Sequence, residues 1–242
     1  SSDVCSSDLE VKIVASAGFE HSISRPDPNW AEQDAIEVWW HDFVRVCRML
    51  LEKSGIAPCE IGAVGFSTMY PTLLAVGADG RPLRPGILYG IDRRALAEIE
   101  ELKEKLNNDY CLQTSGNGLS TQSIAPKMLW IRKNEPDIFA ETYRFLNASG
   151  YIAYRLTGRF CMDHASASLG GVPYNISRNA WDSKTLEVIG VSEANTRFLI
   201  DNNVLLSKVS LNIATEGVAK CTLFADNGSD IVVTGSKLSA MG

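Results

Sequence analysis

The 242-residue chain is 45% hydrophobic and carries a formal net charge of -6. This composition is that of an ordinary globular protein and excludes disordered and fibrous classes. The negative charge, with lysine and arginine scattered along the chain, argues against a nucleic-acid-binding surface. No apolar run approaches the roughly 18 residues that cross a bilayer, and no basic-then-apolar leader is present at the N-terminus. The sequence predicts a cytoplasmic protein with no membrane and no nucleic-acid partner.

Cysteine and histidine spacings give no sign of a metal site. The six cysteines stand at positions 5, 47, 59, 111, 161 and 221, without any Cys-x-x-Cys pair, and the three histidines are equally dispersed. These spacings indicate neither a zinc site nor a compact disulfide framework. We expect reduced and mostly buried thiols.

The N-terminal region contains two segments of different character. Residues 1–9 repeat Ser-Ser-Asp and show no apolar periodicity. We interpret them as a non-native or artefactual segment and exclude them from the fold. Residues 10–19 are apolar enough to predict a strand, and the folded domain is expected to occupy residues 10–242.

The first helix has clear boundaries in the sequence. Asp34 and Glu37 have the spacing of a capping box, which satisfies free backbone amides at a helix start. Apolar residues then recur at helical intervals as far as Gly55, which predicts the helix end. Trp39 and Trp40 fit this apolar stripe, so we expect them in the core and not on a sugar-stacking surface.

A short apolar run at residues 61–66 predicts a central strand covered on both faces. It ends in Ser67, Thr68, Met69 and Tyr70. Ligands bind at the carboxyl ends of strands in open α/β sheets, so this polar loop is a candidate binding site.

A rigid hairpin follows this loop. Residues 72–76 predict a second strand, and residues 78–81 a turn with a positive-φ glycine. After a third apolar run at 86–89, Asp92 precedes a helix predicted over 95–106. From position alone, Asp92 either caps that helix or faces a ligand.

A second polar loop, residues 115–123, leads into a helix whose first turn contains Pro126. The side-chain amide of Gln122 offers both a donor and an acceptor to a polar ligand. From spacing alone, a ligand contact and a simple role at the helix start stay open for Gln122. Farther on, the small residues around Asp163 and Ser166 predict a turn that ends a strand, and a position of Asp163 at a ligand cleft is the alternative.

Several blocks carry a family resemblance, and they occur in a characteristic order. They are Val-Gly-Phe-Ser-Thr-Met-Tyr at 64–70, Asp-Gly-Arg-Pro-Leu-Arg-Pro-Gly-Ile-Leu-Tyr at 79–89, Asp-Arg-Arg at 92–94, Lys-x-x-Trp at 127–130 and Arg-Leu-Thr-Gly at 155–158. Together they resemble the N-terminal domain of the FGGY carbohydrate kinases, nearest the xylulokinase and gluconokinase branches.

The resemblance implies a fold and an activity. The fold is an α/β domain of the ribonuclease H-like type (actin-like ATPase superfamily), with a mixed twisted sheet and helices on both faces. The activity is transfer of the γ-phosphate of ATP to a hydroxyl of a keto-pentose or a related sugar or sugar acid, with Mg²⁺. The expected partner is a small-molecule sugar, and a homodimer is compatible with the sequence.

The resemblance also assigns site residues. It places Met69 and Tyr70 at the floor and edge of the sugar site, and Gln122 and Asp92 in hydrogen bonds to sugar hydroxyls. Many relatives carry His where Tyr70 stands, so D-xylulose itself is not implied. The phosphate loop and the C-terminal ATP domain of the family are not matched, so we expect this chain alone to be inactive.

The predicted last strand, residues 231–236, departs from the family pattern. The family has an aspartate base just after this strand, whereas Lys237 and Leu238 stand there in this sequence. No catalytic residue is assigned for this reason. A non-catalytic sugar-binding or sensing module of the same fold is therefore an alternative, whereas an actin-like structural protein has no support in the sequence.

Overall fold

The structure is a computed structural model. It describes residues 13–61, 64–65 and 67–191, and the backbone of three short strands beyond them. Within these ranges no helix combines the length and the apolarity needed to cross a membrane.

Helices and short strands alternate along the chain. The α-helices are α1 (His41–Ser54), α2 (Leu96–Leu106), α3 (Asn108–Ser115), α4 (Ile124–Asn134), α5 (Pro136–Glu141), α6 (Ala148–Thr157), α7 (His164–Leu169) and α8 (Ser183–Ile189), and a π-helical segment, Ala35–Trp40, leads into α1. The strands are β1 (Glu32–Gln33), β2 (Leu74–Val76), β3 (Gly86–Ile87), β4 (Arg144–Leu146), β5 (Cys161–Met162), β6 (Tyr174–Asn175), β7 (Ala180–Trp181), β8 (Leu199–Ile200), β9 (Val209–Leu211) and β10 (Cys221–Leu223).

The strands pair in both orientations. β1 pairs antiparallel with β3, β2 pairs antiparallel with β4, and a bridge between Leu73 and Ile87 joins the two pairs. The order β1-β3-β2-β4 therefore runs across the centre of the fold. β5 and β8 pair in parallel as a separate two-stranded sheet, so both strand orientations occur among the described strands.

The first helix begins with the Asp34 half of the predicted capping box, whereas the Glu37 carboxylate pairs with His41 at 3.0 Å. The Asp34 carboxylate accepts hydrogen bonds from the backbone amides of Ile36 and Glu37, each at 2.8 Å. The chain then makes a π-helical turn before α1, and α1 ends at Gly55, whose φ is +67°. A left-handed residue of this kind is a common helix end, and glycine adopts it without strain.

Large apolar side chains fill the space between the sheet and the helices. Helices α2 and α8 pack against α4, where Leu102, Met128 and Ile131 are fully buried. Trp39 and Trp40 are partly buried against this core. The prediction that the two tryptophans belong to the core is confirmed.

Three local predictions are wrong. Residues 13–19 form no strand, and neither do Ile61, Val64 or Gly65, the described residues of the predicted central strand. The glycines of the latter run provide no side chains to pack, which weakens a strand. The segment that follows Asp163 is helix α7 and not a turn, because the Asp163 carboxylate caps it by accepting from the Ser166 amide at 2.7 Å.

Candidate functional site

The two polar loops singled out from the sequence border one cleft. It has a volume of about 340 Å³. The loop at Tyr70 meets the loop before α4 and the end of α7. The lining residues are Tyr70, Pro71, Asn117, Gly118, Ser120, Gln122, Ser123, Leu169 and Gly171. Hydroxyl and amide groups therefore face an opening large enough for a small polyhydroxylated molecule.

Tyr70 is partly buried and forms one wall of the cleft. Its hydroxyl is buried and makes no hydrogen bond to any described residue. Gly170 lies against it, because a Cβ added there would stand 2.8 Å from the hydroxyl oxygen. Burial raises the pKa of Tyr70 well above its usual value, the negative charge of Asp163 adds to this, and the Gly170 backbone opposes it to a smaller extent. The phenol is therefore neutral at physiological pH.

Gln122 lies exposed at the opposite loop and is held by the backbone of Gly90. Its Oε1 accepts from the Gly90 amide at 3.1 Å. The side chain lies so close that a Cβ on Gly90 would stand 2.7 Å from Nε2. With Oε1 engaged, the Nε2 group is the part of the amide that is available to donate to a ligand.

The other two predicted site residues do not line this cleft. Met69 is half-buried beside it. Asp92 is 1% exposed and borders a small adjoining void, which also touches Ser120 and Ser123. The structure therefore brings Tyr70 and Gln122 together, whereas a sugar contact from Met69 or Asp92 stays a prediction.

Asp92 is held inside the protein by a backbone amide and an arginine. Its Oδ2 accepts from the Ala31 amide at 2.7 Å and from Arg94 Nη2 at 2.8 Å. The helix-capping alternative is wrong, because α2 begins at Leu96 after Ala95, which makes no side-chain cap. The hydrogen-bonding capacity of this carboxylate is largely used within the fold.

The Asp92–Arg94 pair belongs to a buried ionic network. Arg94 Nη1 reaches Glu32 at 2.7 Å, and Arg84 joins Glu32 at 2.5 Å and Glu135 at 2.7 Å. The two guanidinium groups also lie over aromatic rings, those of Trp30 and Trp130. Buried charges need partners of this kind, because isolated ones are strongly disfavoured. The network fixes β1, the hairpin and the segment before α2 relative to one another.

Lys127 ties α4 to the chain leaving β3. Its side chain is 2% exposed, and Nζ donates to the carbonyl oxygen of Leu88 at 2.8 Å. Burial lowers the pKa of Lys127 to about 8, with Asp92 opposing this shift and Arg94 adding to it. Because Leu88 and Gly90 lie two residues apart, this bond also holds the backbone to which Gln122 attaches.

The comparison with known proteins identifies the family. The sequence model described as the FGGY family of carbohydrate kinases, N-terminal domain, matches residues 4–234. The chain belongs to the FGGY family of carbohydrate kinases.

Two curated relatives illustrate the range of the family. A glycerol kinase from Thermococcus gammatolerans is 28% identical over 190 residues, which are 77% of this chain and 38% of that protein. A xylulose kinase from Escherichia coli is 26% identical over 220 residues, which are 90% of this chain and 44% of that protein. This FGGY chain therefore spans about two fifths of the length of these relatives.

Solved structures support the fold. The xylulose kinase from Rhodospirillum rubrum has a TM-score of 0.73 at 23% identity, over 84% of this chain and 41% of that one. The gluconate kinase from Lactobacillus acidophilus has a TM-score of 0.74 at 20% identity, over 88% of this chain and 42% of that one. The expected ribonuclease H-like α/β fold is confirmed.

Some cleft residues of the FGGY chain were not predicted. Leu169 and Gly171 approach the cleft only because α7 ends beside Tyr70, and nothing in their local sequence indicates a ligand. The adjacent glycines at 170 and 171 indicate a chain reversal, since Gly171 has a φ of +73°, but they do not indicate that the reversal borders a cleft. The predicted strand 231–236, with Lys237 and Leu238, lies outside the described residues.

Proposed function

We propose that this chain is the acceptor-binding part of an ATP-dependent sugar kinase. The acceptor would be a keto-pentose or a related sugar or polyol, bound in the cleft between Tyr70 and Gln122. The phosphorylated group would be one of its hydroxyls, as in the xylulokinase branch.

The observation that supports the proposal most is the convergence of the two polar loops. Residues 52 positions apart in the sequence place a phenol wall and an amide donor on one cleft of about 340 Å³. Hydroxyl groups of a sugar both donate and accept, so they match the mixed set of amide, hydroxyl and backbone groups there. Relatives named for xylulose, glycerol and gluconate agree with an acceptor of this size.

Phosphoryl transfer needs more than the acceptor site. Transfer from ATP depends on alignment of the two substrates and on charge stabilisation by Mg²⁺. Among the residues that the structure describes, no group of three or more His, Cys, Asp or Glu side chains is placed to hold a metal ion. Mg²⁺ in phosphoryl transfer is usually held by one or two carboxylates together with the nucleotide phosphates, so this result assigns no Mg²⁺ ligand. We assign to the described part the binding and orientation of the acceptor only.

Isothermal titration with D-xylulose tests the acceptor site. Tyr70→Ala removes the wall of the cleft and Gln122→Ala removes the amide donor, so each should weaken binding about 3- to 10-fold, the size of one hydrogen bond or small contact. Gln113→Ala, on the exposed surface of α3, is the matched control and should bind as the unmodified chain does. Equal affinity for all four proteins would refute the site assignment.

A non-catalytic sugar-binding module is the second candidate, and the observation that favours it is Lys237-Leu238 in place of the family aspartate. Mass spectrometry of the sugar after incubation of the full-length protein with ATP and Mg²⁺ distinguishes a kinase from a non-catalytic module. A phosphorylated sugar indicates a kinase. Binding without any product indicates the module.

A further inference from the structure

The described lining of the cleft between Tyr70 and Gln122 carries no charge. Its residues supply two amides, two serine hydroxyls, the ring of Tyr70 and apolar surface from Pro71 and Leu169. This described lining can therefore pair with hydroxyls but offers no counter-charge to an anion.

The neighbouring charges do not change this balance. Arg93 and Lys127 border the adjoining void, but Lys127 already donates to Leu88 and is buried. The charge that acts on the buried Tyr70 hydroxyl is the negative one of Asp163, so the Tyr70 side supplies no positive counter-charge. Arg93 is exposed beside the adjoining void and is the cation that the experiment below includes.

Desolvation makes the absence of a counter-charge important. A carboxylate that enters a partly enclosed site loses hydration, and neutral amide and hydroxyl donors replace it incompletely. A hydroxymethyl group in the same position exchanges water hydrogen bonds for protein hydrogen bonds at little net cost. The same cleft should therefore separate two ligands that differ only in this group.

We propose that the acceptor is an uncharged sugar or polyol and that sugar acids are disfavoured. This inference rests on the proposed function, since it specifies the substrate class of the same cleft. The proposed acceptor class resembles that of the relatives named for xylulose and glycerol, which are uncharged, and differs from that of the relatives named for gluconate.

Isothermal titration with D-glucitol and D-gluconate tests the inference, since these two differ in one terminal group, hydroxymethyl or carboxylate. We expect D-glucitol to bind at least about tenfold more tightly than D-gluconate in low-salt buffer. If D-gluconate bound as tightly as D-glucitol or more tightly, the inference would be wrong and the proposed function would stand. Arg93→Gln would then show whether Arg93 is the cation that binds the carboxylate. If neither of these ligands nor D-xylulose binds, the proposed function itself fails.

A charge placed at the rim provides a second measurement. Leu169 is 62% exposed, so Leu169→Lys should fold normally and add a cation beside the cleft. We expect the preference for D-glucitol over D-gluconate to shrink about 2- to 5-fold, in line with a partly exposed ion pair. Leu112→Lys, at a 44% exposed leucine on α3 that does not line the cleft, should leave the preference unchanged. An unchanged preference in Leu169→Lys would contradict a preference set by charge in this cleft.

Discussion

The hydroxyl of Tyr70 lies 2.8 Å from the position that a Cβ on Gly170 would occupy. Ile124 Cδ1 lies 3.1 Å from the same point, and the Gly170 carbonyl accepts from the Ile124 amide at 3.1 Å. The end of α7 and the start of α4 are thus joined where the tyrosine inserts. The shape of the cleft wall therefore depends on glycine at position 170, where any side chain would collide with Tyr70.

Gly170→Ala should therefore disturb both stability and binding. The backbone at Gly170 has a φ of -68°, which alanine adopts freely, so the effect is purely steric. Forced overpacking of this kind costs about 1–3 kcal/mol, measurable by urea unfolding, and displacement of Tyr70 should weaken D-xylulose binding. Gly18→Ala is the control, since no atom lies within 4 Å of its added Cβ. Wild-type stability in Gly170→Ala would show that the tyrosine moves without cost.

Tyr70→Phe tests the buried hydroxyl itself. This hydroxyl makes no well-formed hydrogen bond to a described residue and interacts only weakly with the Gly170 backbone, so its removal should cost little stability. We expect the free energy of unfolding to stay within about 0.5 kcal/mol or to rise by up to about 1 kcal/mol. A loss larger than about 1 kcal/mol in urea unfolding would mean that the hydroxyl is satisfied in the folded protein.

Gly90→Ala isolates the anchoring of Gln122. The added methyl group would meet the end of the flexible glutamine side chain at 2.7 Å, so the side chain should move away with little loss of stability. Sugar affinity should then fall as it does in Gln122→Ala. The double variant provides the check: if both changes act through one amide, Gly90→Ala/Gln122→Ala should bind no more weakly than Gln122→Ala alone. Additive losses would contradict this.

The ionic network predicts a large difference between buried and exposed pairs. Arg94→Met leaves the buried carboxylate of Asp92 without its main partner, and breaking such a pair costs about 3–5 kcal/mol. Lys105→Met is the matched control, because Lys105 pairs with Glu101 on the exposed side of α2 and such pairs contribute about 0–1 kcal/mol. Similar losses in both variants, measured by urea unfolding, would refute a structural role for the network.

Local chemistry explains which elements could be predicted from the sequence. The caps at Asp34 and the glycine end at Gly55 act within a few residues, so their patterns were sufficient. Arg94 lies only two positions from Asp92, but the other contacts of this pair could not be found this way, because Ala31 is 61 positions from Asp92 and Glu32 is 62 positions from Arg94.

The candidate site likewise has features that the local sequence predicts and features that depend on tertiary contacts. The polar composition of the loops around Tyr70 and Gln122 was visible in the sequence, and the family resemblance pointed to both residues. The contribution of Leu169 depends on where α7 ends in space. Likewise, the use of Gln122 Oε1 by Gly90 is a tertiary contact across 32 positions, so which half of the amide faces a ligand was not predictable.

Lys127 should make the stability of the chain depend on pH. Its pKa falls from 10.5 to about 8 on folding, so between these values the unfolded chain holds a proton that the folded chain has released. Stability then rises with pH across this window. Relative to Lys127→Met, which lacks the titrating group, the unmodified chain should gain about 1.5 kcal/mol between pH 8 and pH 9.5.

Urea unfolding of both proteins at these two pH values measures the difference, and contributions from tyrosines shared by both proteins cancel. Gln113→Ala is the control, since it removes no titratable group from the exposed surface of α3, and it should gain as much stability as the unmodified chain. If the Lys127→Met chain gained as much stability as the unmodified one, the amine would be charged in the folded protein at pH 9.5. Its contact with the Leu88 carbonyl would then be an ammonium hydrogen bond, strong enough to offset the loss of hydration on burial.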